Sequence, residues 1–200
     1  MRLWRKAGPL LVTRPGAGGQ SRDIIGATAG LIGWGANARA FARRLNAAGA
    51  RVLAWSERGE IGSEASAASL SEVLSADIVS LHRGLTPATW HFLGAAELAR
   101  IRPGAVLINV ARGALIEPGA LVDRLRQGDI FACLDSYEDE PLAADHPLRQ
   151  LPNVFLTSHI AGGAPGMHIA AAEEIVGKVA ARLRGQAAET LGAGRIATMT

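Results

Sequence analysis

Short apolar runs recur along the chain, separated by longer Ala- and Leu-rich stretches whose apolar positions return every three or four residues. The runs at 29–33, 51–56, 78–82, 106–110, 131–135 and 154–157 read as strands, being partly β-branched and short. Apolar runs of this kind suit strands covered on both faces, the condition of a parallel sheet with crossover helices. Residues 36–48 place Ala38, Phe41, Ala42 and Leu45 on one helical face and end at Gly49, a residue suited to the left-handed turn that closes a helix. Residues 70–75 and 95–100 predict shorter helices. Pro118 at an opening turn and Gly128 at a close bracket another, which carries Leu121, Val122 and Leu125. A last, long helix is predicted over 164–184. Strands and helices alternating in this order predict an α/β fold, a Rossmann-type doubly wound parallel sheet in three layers, α/β/α.

Composition adjusts this picture at the ends. Residues 1–22 carry Arg2, Arg5, Lys6, Arg14 and Arg22 with no acid before Asp23, but Pro9, Pro15 and the glycine-rich 16–19 break any targeting helix, so a basic, flexible leader is expected. Residues 23–163 form the expected Rossmann domain, 164–184 its closing helix, and 185–200 a small-residue tail with little to bury. No apolar run approaches the roughly 20 residues that cross a bilayer. Lys and Arg number 21 against 18 Asp and Glu, and the arginines are scattered, which argues against nucleic acid and is compatible with a small anionic ligand. Cys133 is the one cysteine and lies among Phe131, Ala132 and Leu134, so it reads as a core thiol in a reducing cytoplasm. His91, His146 and His168 show no ligand spacing, and no metal site is expected.

Where the first strand meets the first helix, residues 30–38 contain G-x-G-x-x-A on Gly33, Gly35 and Ala38. Gly33 permits a tight turn, Gly35 lets a ligand approach the backbone, and Ala38 keeps helix and strand close. The opening helical residues, Ala36 and Asn37, then offer unpaired N–H groups and a partial positive charge, which suits a pyrophosphate. An acid that reads the ribose hydroxyls is expected about 20 residues on, at the end of the second strand. Ser56 stands there instead; Glu57 is placed to reach the ribose and Arg58 to accept a 2′-phosphate. NAD is the working assignment, with NADP left open.

Three polar residues fall beyond the carboxyl ends of later strands, the edge at which open α/β sheets bind ligands: Arg112, Glu140 and His159. The segments around them, 107–113 (LINVARG), 134–141 (LDSYEDEP) and 151–162 (LPNVFLTSHIAG), resemble successive signatures of the D-isomer-specific 2-hydroxyacid dehydrogenases, and 80–87 and 145–148 are also similar. The resemblance runs from about Asp23 to about Arg184. It implies that Arg112 grips a substrate carboxylate through a fork of two hydrogen bonds. It implies that His159 exchanges a proton with the substrate oxygen, with Glu140 favouring the protonated imidazole. By the same resemblance Ala111 and Asp135 belong to the cofactor site, Asp135 at the nicotinamide carboxamide. A small 2-oxo or 2-hydroxy acid is the implied substrate and a homodimer the implied assembly.

The chain also departs from that family. Its members carry most of a second, substrate-covering domain ahead of the cofactor domain, whereas here little precedes the first strand. Residues 57–69 are short and rich in small residues where the family has a strand, and Gly84 replaces a proline. The last helix would expose Ile169, Ile175 and Val179 and favour a partner. Three functions follow: a dehydrogenase or reductase of small 2-oxo acids, a module that senses NAD(H) without turnover, and an inactive fragment of a longer enzyme.

Overall fold

In the computed structural model the described residues are 23–163, 173, 175–181 and 183–184. The expectations for 1–22, for 185–200 and for Ile169 lie outside them. Among the described residues seven strands form: β1 (Thr28–Ile32), β2 (Arg51–Trp55), β3 (Ser66–Ala67), β4 (Ile78–Leu81), β5 (Val106–Asn109), β6 (Phe131–Leu134) and β7 (Val154–Leu156). Four α-helices cross between them: α1 (Ala36–Ala47), α2 (Leu70–Leu74), α3 (Ala95–Leu98) and α4 (Pro118–Arg126). The strands lie in the order β3-β2-β1-β4-β5-β6-β7, all parallel. The chain winds outward from β1 through β2 to β3, then returns to lay β4 against the other side of β1. That reversal is a topological switch point, where open α/β sheets leave a crevice.

The expected six strands become seven. The additional one, β3, pairs Leu53 with Ser66 and Ala54 with Ala67. Two small, exposed residues carry no periodic signal, which is why the pattern misses it. Every other strand ends one residue earlier than expected. Gly33, Ser56, His82, Val110, Asp135 and Thr157 therefore stand just beyond the ladder, on its carboxyl edge.

Two apolar layers clamp the sheet. On one side Ala29 and Leu31 of β1 and Val52 and Ala54 of β2 pack with Ala38, Ala42 and Leu45 of α1, and all are buried. Ile32 joins the other layer with Val73 and Leu74 of α2, Leu81, Leu107 and Leu125. Gly30 faces this second side so tightly that a Cβ there would lie 2.3 Å from the carbonyl oxygen of Val73. Residues 173, 175–181 and 183 are helical, and Ile175, Val176, Val179 and Leu183 are exposed.

Candidate functional site

Gly33 leaves β1 with φ +98°, and its N–H donates to the Trp55 carbonyl at 2.8 Å. A Cβ at Gly33 would meet the His82 carbonyl oxygen at 2.6 Å, so this turn is wedged between the ends of β2 and β4. Gly35 is the N-cap of α1, in extended conformation, with open space where its side chain would be. The helices differ at this end. The Ser69 hydroxyl and Glu72 carboxylate cap α2 reciprocally, and the Glu117 carboxylate accepts the N–H groups of Gly119 and Ala120 in α4. In α1 no side chain caps the first turn and no acid lies in it. Open N–H groups of Ala36 and Asn37, the dipole's positive end and the gap beside Gly35 together fit an anionic pyrophosphate.

A cleft of about 360 Å³ opens at this turn, lined by Gly33, Gly35, Ser56, Glu57, Arg58 and Arg83 among others. A neighbouring cleft shares Gly35, Ser56 and Arg58 and adds Ala36 and Arg39. The sequence residues Gly33, Gly35, Ala36, Ser56, Glu57 and Arg58 are thus brought to one place. Arg83 is an addition: its Nη2 lies 2.6 Å from Glu57 Oε2, a contact that residue type and spacing leave invisible.

The second group gathers beyond β5, β6 and β7. His159 Nδ1 sits 2.8 Å from Glu140 Oε2 and 3.0 Å from Oε1. Oε1 also accepts the Tyr137 N–H at 2.9 Å. Partial burial pushes the Glu140 pKa up, but the Tyr137 N–H and His159 outweigh it and hold the carboxyl below its ordinary value. Asp135 is 3% exposed. Its oxygens accept the N–H groups of Ile160 and Ala161 at 2.9 Å each, and the Thr157 hydroxyl. Burial raises its pKa; those three donors more than reverse the effect, so it too stays low. The Tyr137 hydroxyl bonds the carbonyls of Leu134 and Thr157, and burial first, then the Asp135 charge, pushes its pKa up to about 12.

Arg112 lies on the turn after β5, exposed, with Nη1 donating to the Ala111 carbonyl at 2.8 Å. Among the described residues no carboxylate forms an ion pair with it. Its backbone is set by Asn109, 1% exposed, whose amide donates to the Arg112 carbonyl and accepts the Ala111 N–H. Gly113 follows at a point where a Cβ would lie 1.9 Å from the Tyr137 carbonyl carbon. The Arg112 turn and the Tyr137–Glu140 loop therefore touch backbone to backbone. Sequence reading missed Asn109 and Gly113 as positioning residues; a polar residue ending an apolar strand, followed by glycine, was the available signal. Among the described residues no group of three His, Cys, Asp or Glu is arranged to hold a metal.

Comparison with known proteins matches residues 13–161 to the family described as D-isomer specific 2-hydroxyacid dehydrogenase, NAD binding domain. A glyoxylate reductase of Korarchaeum cryptofilum is 35% identical over 172 residues, 82% of this chain and 51% of that protein. Among solved structures, D-lactate dehydrogenase with NAD+ from Lactobacillus jensenii superposes with a TM-score of 0.76 at 31% identity, covering 87% of this chain and 58% of that one. An acyclic imino acid reductase in complex with NADPH and D-Arg gives a TM-score of 0.78 at 27% identity, covering 86% and 56%. The chain spans about half the length of the curated relatives it matches.

Proposed function

The chain belongs to the D-isomer specific 2-hydroxyacid dehydrogenase family through its NAD binding domain, and on that premise we propose that it is an oxidoreductase acting on a small 2-oxo or 2-hydroxy acid. The observation that carries this reading is the pairing of His159 Nδ1 with the Glu140 carboxylate at 2.8 Å, on the same sheet edge as the uncapped start of α1.

The dinucleotide would be held by Gly33, Gly35, Ala36 and Asn37 at its pyrophosphate, by Ser56, Glu57 and Arg58 at its ribose, and by Ala111 and Asp135 near the nicotinamide. When bound, it supplies or accepts the hydride. Arg112 takes the substrate carboxylate in a charge-assisted fork of two hydrogen bonds. With Nδ1 engaged by Glu140, Nε2 of His159 is the nitrogen that passes a proton to the substrate oxygen as the 2-oxo group is reduced, and removes it in the reverse direction. Glu140 stabilises the imidazolium form that begins reduction. Asp135 has a second task, since its bonds to Ile160 and Ala161 hold the segment that carries His159.

The same reading takes the protein as a cytoplasmic homodimer, with exposed Ile175, Val176 and Val179 supporting association. Fluorescence titration with NADH, followed by glyoxylate or hydroxypyruvate in the same cuvette, tests the function. Turnover is expected, and Arg112→Ala should lower kcat/KM by at least about a hundredfold, as loss of a charged anchor does. Binding without turnover in the unaltered chain would leave a cofactor module or a fragment, and failure to bind both NADH and NADPH would overturn the proposal.

A further inference from the structure

Arg83 is the first side chain but one after β4, and it enters the cleft beside the end of β2. Its guanidinium carbon lies 4.4 Å from the ring centre of Phe92 and 5.3 Å from that of Trp55. Those rings stack on each other at 5.5 Å. The side chain is 11% exposed, so the charge is fixed by packing rather than reaching into solvent. Nη2 forms an ion pair with Glu57, but Nη1 is buried with no hydrogen-bond partner among the described residues. A guanidinium cannot discharge itself by losing a proton, and a buried donor without an acceptor is destabilising. Glu57 is the opposite kind of partner, 68% exposed on the turn that follows β2. The pair thus consists of a fixed, half-satisfied cation and an exposed acid that a better ligand can displace.

An anion with three acceptor oxygens can accept from both nitrogens, where this carboxylate pairs with one. Position says which phosphate. The pyrophosphate belongs at Gly33, Gly35 and the start of α1, whereas Ser56, Glu57 and Arg58 stand at the end of β2, where the ribose is read. Ser56 occupies the place of the acid that would take the ribose hydroxyls, and the nearest carboxylate, Glu57, is tied to Arg83. The other charged groups at the two clefts are Arg58, Glu60 and Arg39, the last paired with Glu64. We propose that Arg83 reads the 2′-phosphate of an NADP-type dinucleotide, taking it in place of Glu57, so that the chain prefers NADPH to NADH. This rests on the dinucleotide-binding function proposed above and assigns Arg83 as a specificity residue supplied from β4 rather than from β2.

The test is titration of the full chain with NADPH and with NADH, for the unaltered protein, Arg83→Met and Glu57→Gln. Methionine keeps an unbranched side chain over the two rings and removes the charge. The unaltered chain is expected to bind NADPH at least about tenfold more tightly, and Arg83→Met to lose about that factor for NADPH while NADH affinity stays within about threefold. Glu57→Gln removes the competing carboxylate and should raise the ratio of NADPH to NADH affinity. Preference for NADH in the unaltered chain, or equal weakening of both ligands by Arg83→Met, overturns the assignment and leaves Arg83 a packing residue. If Arg83→Met fails to fold by circular dichroism, an unchanged ratio in Glu57→Gln overturns it. Failure to bind either dinucleotide would instead overturn the underlying function.

Discussion

His159 combines a left-handed backbone, φ +55°, with a side chain tied to Glu140. A non-glycine residue pays for that conformation, and the two N–H groups that follow it are held by the low-pKa carboxylate of Asp135. The strained residue is thus fixed from behind by a buried anion and from the side by an exposed one. Gly113 shows the same dependence on a neighbour's backbone. A Cβ there meets the Tyr137 carbonyl carbon at 1.9 Å, and neither is a flexible side-chain end that can swing away. Gly113→Ala should destabilise the chain by about 3 kcal/mol or more, at the upper end of overpacking effects, and separate Arg112 from the Glu140 loop. Urea unfolding and turnover measured together check it; unaltered stability with unaltered turnover would show that the two loops part freely.

Among the elements, the helix N-termini divide the work. Capping carboxylates and a serine complete α2 and α4 internally, whereas α1 begins at a glycine and keeps its donors open. The vacancy is conformationally unnecessary, because Gly35 has an extended backbone (φ −115°) and nothing within 4 Å of a Cβ. Gly35→Asp is therefore expected to stabilise the domain by about 0.5–1 kcal/mol through a new cap and a favourable dipole. The same change should weaken dinucleotide binding by more than about tenfold, since it sets a carboxylate where the pyrophosphate is proposed to sit. Thermal melts and cofactor titration of one variant read both effects, and a variant that gains stability without losing affinity would move the phosphate site elsewhere.

At the scale of the whole molecule, the switch point between β1 and β4 holds a half-buried titratable group at the carboxyl edge of the sheet. His82 closes β4, with Nε2 3.0 Å from the Ser80 hydroxyl and its ring 5.6 Å from that of Phe41 on α1. Burial lowers its pKa from 6.5 to about 4. The unfolded chain therefore binds a proton between those values that the folded chain refuses, and stability falls as pH drops from about 6.5 toward 4, by roughly 3 kcal/mol in all. Asp135 and Glu140, held low, lose their contribution only as pH falls further, through their depressed values. Unfolding midpoints between pH 7 and pH 4.5 should decline in the unaltered chain and flatten in His82→Gln. Parallel decline in both would assign the acid sensitivity to another group.

Six of the seven strands, the helices α1 to α4, the glycine turn from β1 into α1 and the placement of Arg112, Glu140 and His159 beyond β5, β6 and β7 were legible in the sequence. Periodicity, helix-closing glycines and the stereochemistry of a strand-to-helix turn are local, and residues on the loops that leave the strands fall on the carboxyl edge by topology alone. Tertiary structure decided what distant segments do on meeting. It alone shows Gly30 against Val73, Gly113 against Tyr137, His159 against a carboxylate 19 residues away, the exposed two-residue β3, and Arg83 with one nitrogen on Glu57 and the other unpartnered. Those facts depend on separations in space between residues far apart along the chain, and a linear pattern records residue type and spacing but no such distance.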